Sequence, residues 1–155
     1  LGITMVATSQ AAEMTKWSMG ATIPATAVVA GQSSGKPLHI CRMKVPSGEQ
    51  HPGKAWNNSC YVEFGGKEIK AGMDKAEVLA MDQQIGWTAV TDGKLPKTAV
   101  QVVLSGGAAL HVCRGQVPNG ESHPGKEWKG NCYIGFGGKG LKMPKFEVMT
   151  ASVAP

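Results

Sequence analysis

A stretch of thirty residues is written twice in this chain. Residues 38–67, LHICRMKVPSGEQHPGKAWNNSCYVEFGGK, and residues 110–139, LHVCRGQVPNGESHPGKEWKGNCYIGFGGK, align without a gap and are identical at 19 of 30 positions. The match extends outward, IPATAVV (23–29) against LPKTAVQ (95–101), Trp17 against Trp87, and EVL (77–79) against EVM (147–149). Each unit therefore runs about 70 residues, and a duplicated unit of that length dictates the architecture before any local reading. The units are expected at 13–82 and 83–155. Two copies of one unit must share one fold.

Within each copy the pattern is β. TAVVA, LHICR, CYVEF and EVLAM are short, rich in β-branched or aromatic residues, and bounded by Gly, Pro, Ser or Asn. The segment MDKAEVLAMDQQ (73–84) contains good helix formers, but its counterpart MPKFEVMTAS carries Pro144 and β-formers in register, so both are expected to be strands. The composition agrees: 21 Gly and 9 Pro suit many short strands joined by tight turns. The expected fold is all-β, an antiparallel sandwich or prism-like body with a pseudo-twofold axis between the copies. His-Pro favours an extended approach and Pro-Gly suits the centre of a type II turn, so His51–Gly53 and His123–Gly125 are expected to form corners.

The net charge of +5 is carried by scattered Lys and Arg residues, with no run that would track a phosphate backbone, so no nucleic-acid partner is expected. No stretch approaches the ~20 apolar residues of a membrane span. The opening LGITMVATSQAA carries a short apolar stretch, and Ser9-Gln10-Ala11 fits the small-x-small rule for signal peptidase. Residues 1–12 are thus read as a signal-peptide remnant, implying a secreted or periplasmic protein, or else as an N-terminal strand.

Four cysteines fall two per copy, Cys41 with Cys60 and Cys113 with Cys132. Duplication makes the bridges within each copy the economical pairing, and buried thiols the alternative. Each bridge would close a loop of about 20 residues and contribute on the order of 3 kcal/mol. The dispersed His and Cys residues lack metal-ligand spacing, so no metal or other cofactor is expected. AGQSSGKP is one residue short of a phosphate loop and has Pro37 where a Ser or Thr must hold Mg²⁺. No nucleophile or acid–base constellation is visible, so the chain does not read as an enzyme.

The features that survive duplication are the leading Trp, the P-x-x-AV strand, CR, P-x-G-E-x-HPGK, CY, FGGK and the closing EV-L/M. This ordered series resembles the DM9 repeat, a unit usually found in tandem pairs, from Trp17 through Met149. The resemblance implies an all-β body made from both repeats and, in family members that act as lectins, binding of mannose-type glycans, often by a homodimer. In such lectins the sugar is held by the Lys ending the PGK turn and by an acid just beyond the glycine after the AV strand. The lysines carry over to Lys54 and Lys126. At the acid's place stand Ser33 and Ser105, so Glu49 and Glu121, two residues before each His, become candidate replacements; their alternative role is as solvated turn residues.

Trp56 and Trp128 offer either a face for a sugar ring or a core anchor. Arg42 and Arg114 are expected to form a structural ion pair or a backbone-carbonyl clamp in preference to a ligand contact, His39 and His111 to be packed, and Lys67 and Lys139 to be exposed turn exits. The leading expectation is a lectin with two equivalent sites; the alternative is a protein-interaction or toxin-associated β scaffold that binds no sugar.

Overall fold

The structure is a computed structural model that describes residues 15–20, 22–81, 84–105 and 108–151. The signal-peptide reading of residues 1–12 lies outside the described residues. The first half of the chain forms β1 (Thr15–Met19), β2 (Val29–Ser33), β3 (Lys36–Lys44), β4 (Gln50–Trp56), β5 (Ser59–Phe64), β6 (Lys67–Gly72) and β7 (Ala76–Met81). The second forms β8 (Ile85–Val90), β9 (Gln101–Ser105), β10 (Ala108–Gln116), β11 (Ser122–Trp128), β12 (Asn131–Phe136), β13 (Lys139–Met143) and β14 (Phe146–Ala151). The helix-compatible segment is a 3-10 turn at Met73–Lys75 running into β7. Its strand reading holds over Ala76–Met81.

All fourteen strands belong to one open antiparallel sheet, not to the two separate sheets of a sandwich. Its order is β1-β7-β3-β4-β5-β6-β13-β12-β11-β10-β14-β8, with β2 on β3 and β9 on β10. The order matches each strand of one half with its sequence counterpart from either end. The halves meet at a seam between β6 and β13, where Lys67 stands opposite Lys139. Like charges facing across a ladder do not favour it. The seam instead rests on backbone bonds from Glu68 N to Gly138 O (3.1 Å) and Gly140 N to Gly66 O (2.8 Å). It also rests on the buried contacts described below.

The HPGK motifs are not corners. Both lie inside strands, β4 and β11, and neither Gly53 nor Gly125 has the positive φ that a type II turn requires at that place. Their glycines are needed for space. The β4–β5 ladder ends at Lys54↔Tyr61, and beyond it β5 crosses the face of β4 so closely that a Cβ on Gly53 would lie 2.0 Å from the Tyr61 carbonyl oxygen. Pro52, with no N–H to donate, sits where that ladder has ended. The chain reverses instead at glycine pairs such as Gly65–Gly66 (φ 60° and 82°), a two-residue hairpin of the type that suits the strand twist.

The same crossing brings β5 against β3, although β4 lies between them in the sheet. Cys41 and Cys60 are thereby joined with Cα atoms 5.9 Å apart, and Cys113 and Cys132 with theirs 6.0 Å apart. Each bridge is buried in the core of its own half, with Met43, Val62 and Val78 in one and Val117, Ile134 and Val148 in the other. A third core is shared. Ile40 and Leu79 of the first half pack there with Val112 and Met149 of the second.

The remaining repeated residues tie the outer strands together. Arg42 lies 4.3 Å over the Trp17 ring and pairs with Glu77 at 3.0 Å; Arg114 lies 4.1 Å over Trp87 and pairs with Glu147 at 2.9 Å. The expected structural ion pairs are present. Each cation–π contact contributes about 0.5–1 kcal/mol at such partly exposed positions, and each ion pair about 0–1 kcal/mol.

Candidate functional site

The side chain of each HPGK lysine is buried against the other half of the chain. Lys54 Nζ donates to Gly135 O at 2.6 Å and to His123 Nδ1 at 3.0 Å, with Glu68 Oε2 at 3.4 Å. Lys126 Nζ donates to Glu63 O at 2.6 Å and to His51 Nδ1 at 2.8 Å, with Glu63 Oε1 at 3.2 Å. An ammonium has three N–H bonds and no lone pair. Each lysine therefore gives two hydrogen bonds and an ion pair to protein groups, and the imidazole Nδ1 must accept. The ring proton sits on Nε2, which donates to Glu121 Oε1 (3.1 Å) from His123 and to Glu49 Oε1 (3.3 Å) from His51.

The carboxylates beside the lysines both come from the first half and occupy space left by glycines of the second. A Cβ on Gly135 would lie 2.7 Å from Glu68 Cγ, and one on Gly140 would lie 2.7 Å from Glu63 Cγ. Glu63 and Glu68 are cross-strand partners in the β5–β6 hairpin, as Gly135 and Gly140 are in β12–β13. The acids and glycines are thus complementary across the seam.

Burial pushes the Lys54 and Lys126 ammoniums below the ordinary lysine range, with Glu68 and Glu63 acting in the opposite direction. Burial first, and the adjoining lysine charge second, hold His51 and His123 below the usual histidine value, against the partial pull of Glu49 and Glu121. The His–Glu contacts are accordingly hydrogen bonds of a neutral imidazole. A depressed histidine pKa means that the unfolded chain binds protons the folded chain refuses, so stability falls as pH drops through the unfolded value near 6.5 towards the lower folded one. Denaturant midpoints measured from pH 7.5 to 5 are expected to decline over that window, and His51→Gln plus His123→Gln to flatten the decline.

Two clefts open above the lysines. One, about 190 Å³, is lined by Ser33, Lys54, Trp56, Tyr61, Glu68 and His123 among others. The other, about 400 Å³, is lined by His51, Glu63, Phe64, Lys126, Trp128 and Tyr133 with neighbouring glycines. The Trp128 and Tyr133 rings stand 6.3 Å apart, tilted by 56°. Of the residues singled out from sequence, Ser33, Lys54 and Trp56 meet in the first cleft and Lys126 and Trp128 in the second. The side chain of Ser105 lies outside the described residues.

Glu49 and Glu121 reach the lysines through the histidines. Each sits one imidazole away, and Glu121 also accepts from Ser34 N at 2.8 Å and Asn119 Nδ2 at 2.8 Å. Sequence reasoning gave no site role to His51, His123 and Glu68, and set Glu63 aside because its counterpart is glycine. The signal for the acids was present: both glutamates align with glycines in the other copy, and such a pairing marks complementary surfaces.

An open antiparallel sheet with paired clefts at an internal seam, and among its described residues no cluster of three or more His, Cys, Asp or Glu able to hold a metal ion, defines an all-β repeat module. Residues 32–126 match the family model described as DM9 repeat, and the chain belongs to the DM9-repeat family. It is a non-catalytic module of that kind. None of the curated proteins matches it. Among solved structures it is similar to the nematode sperm cell motility protein MFP2B, with a TM-score of 0.63 and 14% identity over 91% of this chain and 48% of that one. The chain thus spans about half the length of that protein and shares its fold. No helix among the described residues is long and apolar enough to cross a membrane.

Proposed function

We propose that this chain is a non-catalytic interaction scaffold whose recognition surface is the seam face with its two clefts. The observation that supports this reading is the use of the repeated lysines: each makes two hydrogen bonds and a close ion pair to protein groups, so a motif repeated without change assembles the body. The strand order is read here as an approximate twofold relation between repeats 13–82 and 83–155. Two disulfides suit an oxidising compartment, which supports a secreted or periplasmic location.

A second reading, binding of mannose-type glycans, is favoured by the cleft walls. Trp128 and Tyr133 offer flat apolar faces, and Glu63 and Glu68 are acceptors for vicinal hydroxyls, with charge-assisted bonds about twice as strong as neutral ones. The serine at the family's acid position is in the smaller cleft, beside Lys54.

Glycan-array binding and cross-linking of the disulfide-intact protein to its partners, with and without free mannose, separate the two. The first reading expects cross-links from the seam face to a protein that mannose does not compete, and no array signal that Trp128→Ala abolishes. Saturable binding to mannose-type glycans lost in Trp128→Ala would overturn it in favour of the second. Trp128 is the informative position because lysine variants would also disturb folding.

A further inference from the structure

A second kind of site lies outside the seam clefts, and comparison of the two halves reveals it. In β11 the buried Glu127 stands opposite His111 of β10. Its Oε1 is 2.7 Å from His111 Nδ1, and its Oε2 accepts from Gly130 N at 2.7 Å, in the turn between β11 and β12. One carboxylate is thus held between an imidazole and a turn amide. The turn is also closed from outside, because Gly130 packs so tightly on Gly93 that a Cβ on either would lie 3.2–3.5 Å from the other's Cα.

The first half keeps the holder and lacks what is held. His39 stands opposite Ala55 in the same register, and the β4–β5 turn at Asn57 and Asn58 has the same left-handed backbone (φ 49° and 65°) as Lys129 and Gly130 (48° and 91°). Asn58 therefore presents its amide as Gly130 does. A cavity of about 350 Å³ lies there, lined by His39, Ala55, Asn58, Lys36, Ile23 and Met73 among others. Trp56, whose buried indole N–H has no partner among the described residues, also lines it.

We propose that this cavity binds a small carboxylate ligand, its oxygens taking the places of Glu127 Oε1 and Oε2 between His39 and the Asn58 amide. Lys36 adds positive charge at the rim, and charge-assisted bonds of this kind are the strong ones. Ile23 and Met73 supply an apolar wall, so the ligand is a monocarboxylate with a short hydrocarbon part. Desolvation holds the His39 pKa down, which favours the neutral ring, an N–H donor.

The test uses ¹⁵N-labelled protein titrated with sodium propionate against sodium chloride at equal ionic strength. Saturable shifts are expected at the Asn58 amide and the His39 ring, with none at Gly130 or His111. Ala55→Glu supplies the carboxylate from the chain itself, so it is expected to move the Asn58 amide towards the Gly130 type and to weaken propionate binding at least ~10-fold. If that variant does not fold, His39→Phe is expected to weaken binding likewise. Absence of saturable shifts, equal shifts at both turns, or an unchanged response in the folded variant would overturn the proposal.

Discussion

Lys54→Met is expected to destabilise the fold by about 3–5 kcal/mol, the cost typical of removing one partner from a buried ion pair. Methionine roughly preserves the volume of the aliphatic stem, so the loss comes from polar atoms left behind. Gly135 O, His123 Nδ1 and the Glu68 carboxylate would each lose the donor that now lies within 2.6–3.4 Å. Urea denaturation should show a lower midpoint with an unchanged slope. Adding Glu68→Gln should return part of the loss, because the stranded carboxylate is the most expensive of the three groups. A change below ~1 kcal/mol would mean that the lysine is a surface ornament and that the brace across the seam is not what holds the halves.

Gly53→Ala is expected to cost more than ~3 kcal/mol, beyond the usual overpacking range. The new methyl would lie 2.0 Å from the Tyr61 carbonyl oxygen and 2.7 Å from Val62 Cγ1. A backbone oxygen cannot rotate away as a flexible side chain can, so β5 would have to lift off β4. Since that crossing also brings Cys60 to Cys41, the variant should accumulate free thiol during oxidative refolding. Gly48→Ala is the comparison: no described atom lies within 4 Å of a Cβ added there, and the positive φ of 91° is what opposes it, at about 1–2 kcal/mol. Equal stabilities for the two variants would refute the crossing.

The contrast between these glycines explains what was legible in the sequence. Strand content, the pairing of cysteines within each half and the arginine ion pairs all follow from periodicity and internal repetition, which are local or nearly so. The role of HPGK does not. Pro-Gly in isolation spells a turn, and the demand that overrides it comes from Tyr61 and Val62 of the next strand crossing the strand face, a three-dimensional contact that turn preference does not encode. The site divides in the same way: Ser33 of β2 and Lys54 and Trp56 of β4 come from neighbouring strands of one half, whereas His123 and Gly135 reach Lys54 from the other half of the chain. Seeking features common to both copies also set aside Glu63, whose importance lies in the difference between them.

That difference bears on how copies of the molecule can associate. Both seam acids belong to the first half and both glycines that admit them to the second. Two second halves facing each other would bring together two ammoniums with neither glutamate beside them, and two first halves would crowd four glutamates where no glycine makes room. Neither half can serve as its own mate. The seam is therefore keyed, and strand exchange that placed like halves together, a common hazard for duplicated chains, is disfavoured by charge and by volume at once.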